Sequence, residues 1–290
     1  MDFTPEQPWP LSECQDGYFY HSMDFPDGTS VRGHWDIRGH FENYIGHYGL
    51  AGKSVLDVGT ATGFLAFSAE RAGARVTALD VRNSAEFRRI PFHDSPYHCD
   101  RAQWTKDYDE QHVRLLKKAF WYSWHKLNSN VEVIYAPLDQ LCFWDRRFDV
   151  VLAGAVLEHL SDPISAIGAF ARLAKEAVVI AFTDVVDTDE CVMQPVYDLS
   201  EPRLDYGWWK LSRGLYRQVF DNLGFTIEIA KTTAFYTPWD DGLRGEVTRP
   251  TIIARKKSPE QMALPRVKRA EMNATIQSSW RSRLRRLLPI

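Results

Sequence analysis

The sequence lacks the features that mark secreted, metal-binding or membrane-spanning proteins. Its four cysteines, Cys14, Cys99, Cys142 and Cys191, lie far apart in 290 residues and form no CxxC pair. Neither a zinc site nor a disulfide framework is therefore indicated. No uninterrupted apolar run approaches the roughly 18 residues of a membrane span. The first 17 residues are acidic and rich in proline, unlike a secretory leader, so we expect a cytoplasmic protein.

Positive charge is scarce outside the C-terminal tail. Residues 254–290 hold ten Lys and Arg against two acidic residues, whereas the rest of the chain holds 25 against 36. Binding to nucleic acid depends on neutralising phosphates, so we do not expect the acidic main body to bind it. In the tail, Trp280, Leu284, Leu287 and Leu288 fall at helical spacing among arginines, which predicts a short basic amphipathic helix. That helix would contact an anionic membrane surface peripherally, dock on an acidic partner or cover an apolar patch, and the last two together outweigh the first.

From Lys53 onward, short apolar runs alternate with helical patterns, which is typical of βαβ units and a mostly parallel sheet. We predict strands at 54–59, 74–80, 131–137, 148–156 and 177–185, and helices at 63–74, 108–127, 162–176 and 208–225. Two further β-rich runs, 225–236 and 249–257, should pair as an antiparallel hairpin. The predicted fold is α/β, a doubly wound, mostly parallel seven-stranded sheet with a C-terminal hairpin. We divide the chain into a lid and lead-in segment (1–50), the main domain (51–257) and the basic tail (258–290).

The turn after the first predicted strand keeps two glycines where a nucleotide-binding loop has three. The segment "LDVGTATGF" (56–64) has Gly59 and Gly63 with Ala61 between them. A dinucleotide needs the middle glycine, because its pyrophosphate lies against the main chain. S-adenosylmethionine carries no phosphate and makes a smaller demand at Ala61. Asp80, 21 residues after Gly59 at the end of the second strand, is placed to accept hydrogen bonds from ribose hydroxyls.

These stretches, with "APLDQL" (136–141), "FDVVLAGAVLEHLSDP" (148–163) and "LGF" (223–225), resemble the class I S-adenosylmethionine-dependent methyltransferase family over about residues 31–257. The resemblance implies that the glycine loop lines the cofactor, that Asp80 takes the ribose and that Leu138 flanks the adenine. Gly154 and Ala155 would lie beside the methionine portion. The full set of predicted cofactor contacts is Arg38, Asp57, Gly59, Thr60, Ala61, Gly63, Asp80, Val81, Leu138, Gly154 and Ala155.

Within the family, the aromatic lead-in at 31–59 is most similar to the branch that contains the tRNA wobble-uridine carboxymethyltransferase. That branch has a "VLYHR" segment after the fourth strand, where this chain has Glu158 in place of the tyrosine and Leu160 in place of the arginine. A carboxylate at Glu158 would repel the extra carboxyl group of a carboxylated cofactor. The resemblance therefore implies ordinary S-adenosylmethionine, and the acidic body argues against tRNA.

Two side chains just past the fourth strand, Glu158 and His159, are the predicted catalytic residues. Methyl transfer is an in-line displacement, so a base is needed only for a hydroxyl or a protonated amine. In the alternative interpretation, the "EHL" segment shapes the following helix without moving a proton. Arg38, with its neighbours His34, Asp36 and His40, would fold over the cofactor and bind its carboxylate, or belong to a solvated surface helix.

Metal ligation is not predicted. The histidines at 34, 40 and 47 do not repeat the i, i+4 geometry of helical metal sites, and the cluster of His93, His98 and Cys99 is equally weak.

Three segments lie outside the minimal fold and would supply acceptor specificity: 17–33, 83–111 and 192–209. Their aromatic residues would wall a pocket for a planar or sugar-like acceptor, or simply anchor the loops; they are Tyr18, Tyr20, Tyr97, Trp104, Tyr197 and Tyr206. We predict a methyltransferase that acts on oxygen or nitrogen of a small-molecule or glycan-type acceptor. The alternatives are a tRNA-modifying enzyme, a non-catalytic partner subunit and, least favoured, a nicotinamide dehydrogenase; the sequence does not indicate the oligomeric state.

Overall fold

A computed structural model of the chain describes residues 3–86, 112–196, 208–236 and 245–262. The chain divides into two compact units, Met1–Arg255 and Lys256–Ile290. The predicted tail helix, like Tyr97, Trp104, Tyr197, Tyr206 and the weak cluster at 93–99, lies outside the described residues. Within the described ranges, no helix combines the length and apolar character needed to cross a membrane.

Thirteen strands and six α-helices are described. The strands are β1 (Met23–Asp24), β2 (Ser30–Val31), β3 (Trp35–Asp36), β4 (Ser54–Val58), β5 (Arg75–Asp80), β6 (Glu132–Tyr135), β7 (Phe148–Gly154), β8 (Ala174–Ala181), β9 (Val185–Val186), β10 (Met193–Pro195), β11 (Trp209–Ser212), β12 (Phe225–Tyr236) and β13 (Gly245–Lys256). The helices are α1 (Phe41–Tyr44), α2 (Phe64–Arg71), α3 (Arg114–Leu127), α4 (Pro163–Leu173), α5 (Arg213–Asn222) and α6 (Pro259–Met262).

The central sheet confirms the predicted fold class. Its strand order is β3-β12-β13-β8-β7-β4-β5-β6. The five strands β4 to β8 pair in parallel, and β13 pairs antiparallel with β8. The C-terminal strands β12 and β13 lie side by side, as the hairpin prediction requires. The two-residue β3, antiparallel to β12, is an eighth strand that the sequence did not predict.

Both faces of the sheet are buried, which explains why its strands read as continuous apolar runs. On β4, Val55 packs into one hydrophobic core and Leu56 and Val58 into the other. Helix α2 lies with the first core, and α4 and α5 with the second. The parallel strands therefore all end at one edge of a layered α/β domain, where ligands of such sheets bind.

The helix predicted for 208–225 is wrong in its first turn. Residues Trp209–Ser212 form β11, which pairs antiparallel with β10 and parallel with β9 in a separate three-stranded sheet. The helix begins only at Arg213, because the Ser212 hydroxyl accepts a hydrogen bond from the Leu215 N–H at 3.0 Å and caps it. The long connection after β8 is thus partly ordered by its own small sheet.

The N-terminal segment packs on the same face as α2. Cys14, Met23 and Phe25 are buried in the first core, and β1 pairs antiparallel with β2. His21 also forms an isolated bridge with Trp35 of β3. The segment is therefore anchored to the main sheet over residues 14–36, and the boundary at residue 50 stays a prediction.

Candidate active site

The loop after β4 turns sharply at the carboxyl edge of the sheet. Gly59, Ala61 and Gly63 all have left-handed backbone angles, with φ of 75°, 49° and 86°. Such angles favour glycine, so the alanine between the two glycines occupies a strained conformation. The loop is fixed by the Gly59 and Thr60 N–H groups, which both donate to the Leu79 carbonyl of β5. The backbone at Gly59 lies close to Val156, because a Cβ added at Gly59 would meet the Val156 side chain at 2.3 Å.

Asp80 ends β5 directly beside this loop. One carboxylate oxygen accepts the Ala61 N–H and the other accepts the Val81 N–H, each at 2.8 Å. A carboxylate oxygen can accept more than one hydrogen bond. Asp80 is only partly buried. Asp80, the residue predicted to bind the ribose, is therefore held in place by a backbone N–H of the predicted cofactor loop.

Asp57, on β4 below the loop, is completely buried. Neither of its carboxylate oxygens, nor the hydroxyl of the nearby Thr60, has a hydrogen-bond partner among the described residues that meets good geometry. Burial raises the pKa of Asp57 to about 7, with a further increase from the Asp80 charge, while Thr60 and Ala66 oppose the shift. A cationic group of a ligand beside this buried carboxyl group would favour its ionised form.

The end of β7 brings the other predicted residues to the same edge. Ala155 has a left-handed φ of 48°, and its N–H donates to the Ala181 carbonyl of β8 at 2.9 Å. Gly154 leaves room for Leu65 and Tyr44, since an added Cβ would meet their side chains at 2.5 and 3.4 Å. These two residues therefore lie where parallel strands β7 and β8 end, and their contact with the methionine portion of the cofactor stays a prediction. Leu138 begins a 3₁₀ turn after β6 and is partly buried against the second core.

Glu158 is buried, with 8% of its surface exposed. Its two carboxylate oxygens make no hydrogen bond within the ranges that the structure covers, although its own carbonyl accepts the Trp208 N–H at 2.7 Å. Burial raises the pKa of Glu158 to about 7, whereas its own backbone N–H and, to a smaller extent, Arg249 lower it; Asp184 adds a small increase. The neighbouring His159 is half-buried at the end of the same 3₁₀ turn. The structure places both predicted catalytic residues at the site, with Glu158 inside and His159 nearer the surface.

Sequence reasoning missed Arg249, which reaches the site from β13. Its Nη1 lies 3.5 Å from Glu158 Oε1 and its Nε lies 3.6 Å from Asp184 Oδ1. Its guanidinium also stacks 5.1 Å from the centre of the Phe182 ring. No local motif marks this residue, because it follows Glu158 by about 90 residues. Only a prediction of hairpin register could have found it.

Beside Arg249 and its acidic partners lies a group of aromatic rings, here called the aromatic wall (Tyr20, Trp35, Tyr44 and Phe182). The Phe182 ring contacts Trp35 edge-on at 5.3 Å and stacks on Tyr44 at 5.4 Å. Trp35 Nε1 donates to the Tyr20 hydroxyl at 3.0 Å. Phe182 holds a left-handed φ of 54°, the third non-glycine residue at this edge to do so. Of the predicted aromatic residues, Tyr20 thus lies in the wall, and Tyr18 lies 5.4 Å from His112, away from it.

The N-terminal segment covers the glycine loop with a histidine. His21 is buried, its Nδ1 lies 3.5 Å from Thr62 Oγ1, and its ring lies 5.5 Å from Phe64. Burial lowers the pKa of His21 to about 3, with a smaller contribution from His34. His21 is therefore neutral at physiological pH. His21 was not among the residues predicted to fold over the cofactor, which were His34, Asp36, Arg38 and His40, and that expectation stays a prediction.

Arg38 is held by two carboxylates. It pairs with both oxygens of Asp36, at 2.8 and 2.7 Å, and with Asp24 at 2.6 Å. These partners raise its pKa above the ordinary value, with Asp36 the main cause. Arg38 could bind a cofactor carboxylate only by exchanging one of these pairs, and that role stays a prediction. Among the described residues, no group of three or more His, Cys, Asp and Glu side chains could hold a metal ion.

The residues at this edge fit S-adenosylmethionine. A ribose needs acceptors, which Asp80 supplies, and the cationic sulfonium and ammonium groups need negative charge nearby, which the Asp57 carboxylate supplies when it is ionised. No cluster of cations that would receive a pyrophosphate is found at the described loop; Lys117 stacks on the Tyr135 ring at 3.9 Å and donates to the Arg82 carbonyl at 2.7 Å. The described residues therefore favour an uncharged or cationic ligand over a dinucleotide.

The chain is similar to curated methyltransferases. The chain is 28% identical over 181 residues to the ubiquinone biosynthesis O-methyltransferase of Proteus mirabilis, covering 57% of this chain and 60% of the relative. It is 33% identical over 138 residues to the same-named protein of Alkalilimnicola ehrlichii, covering 47% of this chain and 42% of the relative. The chain thus spans about half the length of these curated relatives.

A solved structure shows the same fold. The N-terminal domain of EvdMO1 with S-adenosylhomocysteine bound superposes with a TM-score of 0.50 at 17% identity, covering 85% of this chain and 94% of that one. The family model described as "Methyltransferase domain" matches residues 40–228. The chain therefore belongs to this family, within the class I S-adenosylmethionine-dependent methyltransferases.

Proposed function

We propose that the protein transfers a methyl group from S-adenosylmethionine to a hydroxyl group of a small aromatic acceptor. The observation that carries the proposal is Glu158, a buried carboxylate that makes no hydrogen bond to the described residues and lies at the edge where β7 ends, with the aromatic wall beside it. A hydroxyl acceptor needs a base, whereas an unprotonated amine does not. The two relatives named as O-methyltransferases support oxygen as the methylated atom.

The cofactor half of the site consists of the predicted loop residues. The bound cofactor would supply an electrophilic methyl group on sulfur. We assign its ribose to Asp80 and Val81, its adenine to Leu138, and its methionine portion to Gly154 and Ala155. The loop residues Gly59, Thr60, Ala61 and Gly63 would lie against it, with the Asp57 carboxylate beneath the loop and Arg38 at its carboxylate end.

In the acceptor half, Glu158 would take the proton of the acceptor hydroxyl as the new oxygen–carbon bond forms, and would then release it to water. His159 is the alternative proton acceptor. The aromatic wall would pack against the ring of the acceptor and exclude water from the reacting oxygen. The lid (1–50) and tail (258–290) segments remain proposals as separate units, as does the cytoplasmic location.

A tRNA-modifying activity, the alternative that the lead-in segment suggested, has one favourable feature, the net positive tail. It would show as binding that weakens steeply with salt, because each neutralised phosphate releases counterions. The negative charge of Glu158 argues against the carboxylated cofactor of that branch.

The test is a comparison of acceptors with methyl-labelled S-adenosylmethionine: a catechol, an aniline, a methyl glycoside and bulk tRNA, each analysed by mass for the methylated product. We expect product with the catechol and much less with the others. The Asp80→Ala variant, which should bind the cofactor poorly, is the blank. Product from the glycoside or tRNA alone would contradict the proposal, as would enzyme that binds S-adenosylhomocysteine but methylates none of the four.

A further inference from the structure

The C-terminal strand β13, which lies beside β8, brings the side chain of Arg249 to the site. The Thr183 N–H donates to the Pro250 carbonyl at 3.0 Å, and Ile252 pairs with Ile180 of β8. This register places Arg249 opposite the segment that follows β8. Its side chain is 30% exposed, whereas that of Glu158 is 9% exposed. The arginine thus lies between solvent and a buried carboxylate.

Arg249 contacts the neutral ring of Phe182 and two acidic side chains. It lies 3.5 Å from Glu158 and 3.6 Å from Asp184, distances longer than direct charge-assisted hydrogen bonds. Asp184 has a second cation, since Lys210 Nζ lies 3.4 Å from its Oδ2. Glu158 has no such second ion pair among the described residues. The loss of Arg249 would therefore leave Asp184 with Lys210 and Glu158 with no described cation.

Every element around Glu158 adds to its electrostatic environment. Asp184, after β8, raises its pKa, and Arg249, on β13, lowers it. The hydroxyls of Tyr44 on α1 and Tyr216 on α5 are buried and feel the Glu158 charge, and the pKa values of both are raised chiefly by burial. Both tyrosines are neutral, so Arg249 is the main described charge that favours the ionised carboxylate.

We propose that Arg249 is a positioning residue that favours the ionised form of Glu158 at the acceptor site. The part of this inference that concerns catalysis rests on the proposed function, because only an ionised Glu158 can take the proton of an acceptor hydroxyl. The part that concerns the charge of Glu158 does not depend on any acceptor. The two parts therefore have separate tests.

The first test titrates the Glu158 carboxyl group itself. Protein labelled with carbon-13 at the glutamate carboxyl carbon is followed by NMR from pH 5 to pH 9, with the signal assigned from the Glu158→Gln variant. We expect the midpoint to rise by about 1 pH unit or more in Arg249→Gln, because an adjacent guanidinium lowers a carboxyl pKa by that amount. Arg249→Lys should stay close to the wild type. An unchanged midpoint in a folded Arg249→Gln protein would overturn the proposal.

The second test measures kcat/KM against pH with the methylated acceptor. The acidic limb should move to higher pH in Arg249→Gln by the same interval as the carboxyl midpoint, so that the rate falls about tenfold at pH 6 and recovers at high pH. Arg249→Lys should restore the limb. The matched control is Arg255→Gln on the same strand, which pairs with Glu228 at 3.9 Å and should leave the profile unchanged.

The outcomes separate the two proposals. A shifted carboxyl midpoint with an unshifted rate profile would leave the charge role of Arg249 standing and overturn Glu158 as the base. A rate that falls equally at every pH would overturn the positioning role in favour of a structural one. Thermal unfolding of each variant shows whether it is folded.

Discussion

Asp80 and Glu158 both lie at the carboxyl edge of the sheet, after β5 and β7, and they differ in burial and in hydrogen bonding. Asp80 is partly exposed and both of its oxygens accept backbone N–H groups, whereas Glu158 is buried and its oxygens accept none from the described residues. Asp80 is held by the following residue, Val81, and by Ala61 of the glycine loop. Glu158 instead faces Arg249, which is distant in sequence on β13. Under the roles proposed above, the cofactor-binding carboxylate is hydrogen-bonded in advance, whereas the proton-accepting one receives no hydrogen bond from the described residues.

The largest effect, on the catalytic rate, is expected from removing the charge of Glu158. Glu158→Gln should lower kcat by about 10²- to 10⁴-fold, the usual contribution of a general base, and leave S-adenosylhomocysteine affinity unchanged. Initial rates with the catechol acceptor measure it. His159→Gln is the companion variant, and it should have a smaller effect if His159 only shapes the turn. Full activity in Glu158→Gln would assign the base elsewhere.

A smaller effect is expected from removing the satisfied carboxylate. Asp80→Ala should weaken S-adenosylhomocysteine binding by about 100-fold, because hydrogen bonds to a charged group contribute about 1.5–3 kcal/mol each. Calorimetric titration measures the affinity. Glu86→Ala, a nearby acid paired with Arg82 at 2.8 Å, is the control and should bind normally. An unchanged affinity in Asp80→Ala would refute the ribose assignment.

A third effect concerns stability and pH. The pKa of Glu158, about 7 against an ordinary 4.5, means that the folded state binds its proton more tightly than the unfolded state. Raising the pH through this window therefore favours unfolding. Glu158→Gln should raise the free energy of unfolding at pH 8 by up to about 3 kcal/mol relative to the wild type, with little difference at pH 4.

Urea unfolding at both pH values measures this effect. Asp80→Asn should give no such gain, because it weakens two hydrogen bonds to the backbone. Part of the wild-type pH dependence should remain in Glu158→Gln, since Asp57 also has a pKa of about 7. A Glu158→Gln protein less stable than the wild type at pH 8 would contradict the prediction.

The cofactor half of the site could be predicted from sequence because its parts are local. Each strand of a parallel sheet delivers its following loop to the same edge, so the positions of Gly59, Asp80 and Gly154 follow from the order of the strands. The acceptor half could not be predicted in the same way. Arg249 depends on the register of a hairpin strand against β8, and the position of Tyr44 depends on how a four-residue helix packs.

A local pattern misled at one place. The run from Trp208 has helical spacing, but tertiary pairing with β9 and β10 turned its first residues into a strand. The role of Arg38 at the cofactor stays a prediction, and the sequence gave no sign that Asp36, two residues earlier, would pair with it. Propensity and residue type cannot decide between an internal partner and a ligand.

The place of β13 within the sheet has a consequence for folding. This strand lies between β8 and β12 although it follows both in the chain. Until it is inserted, the edge of β8 is open and the buried acid at 158 has no cation beside it. Such late, non-local pairing folds slowly and exposes an unpaired edge meanwhile. A nascent chain could therefore assemble its cofactor loop well before its acceptor side, and the open edge of β8 is where misassociation between chains would begin.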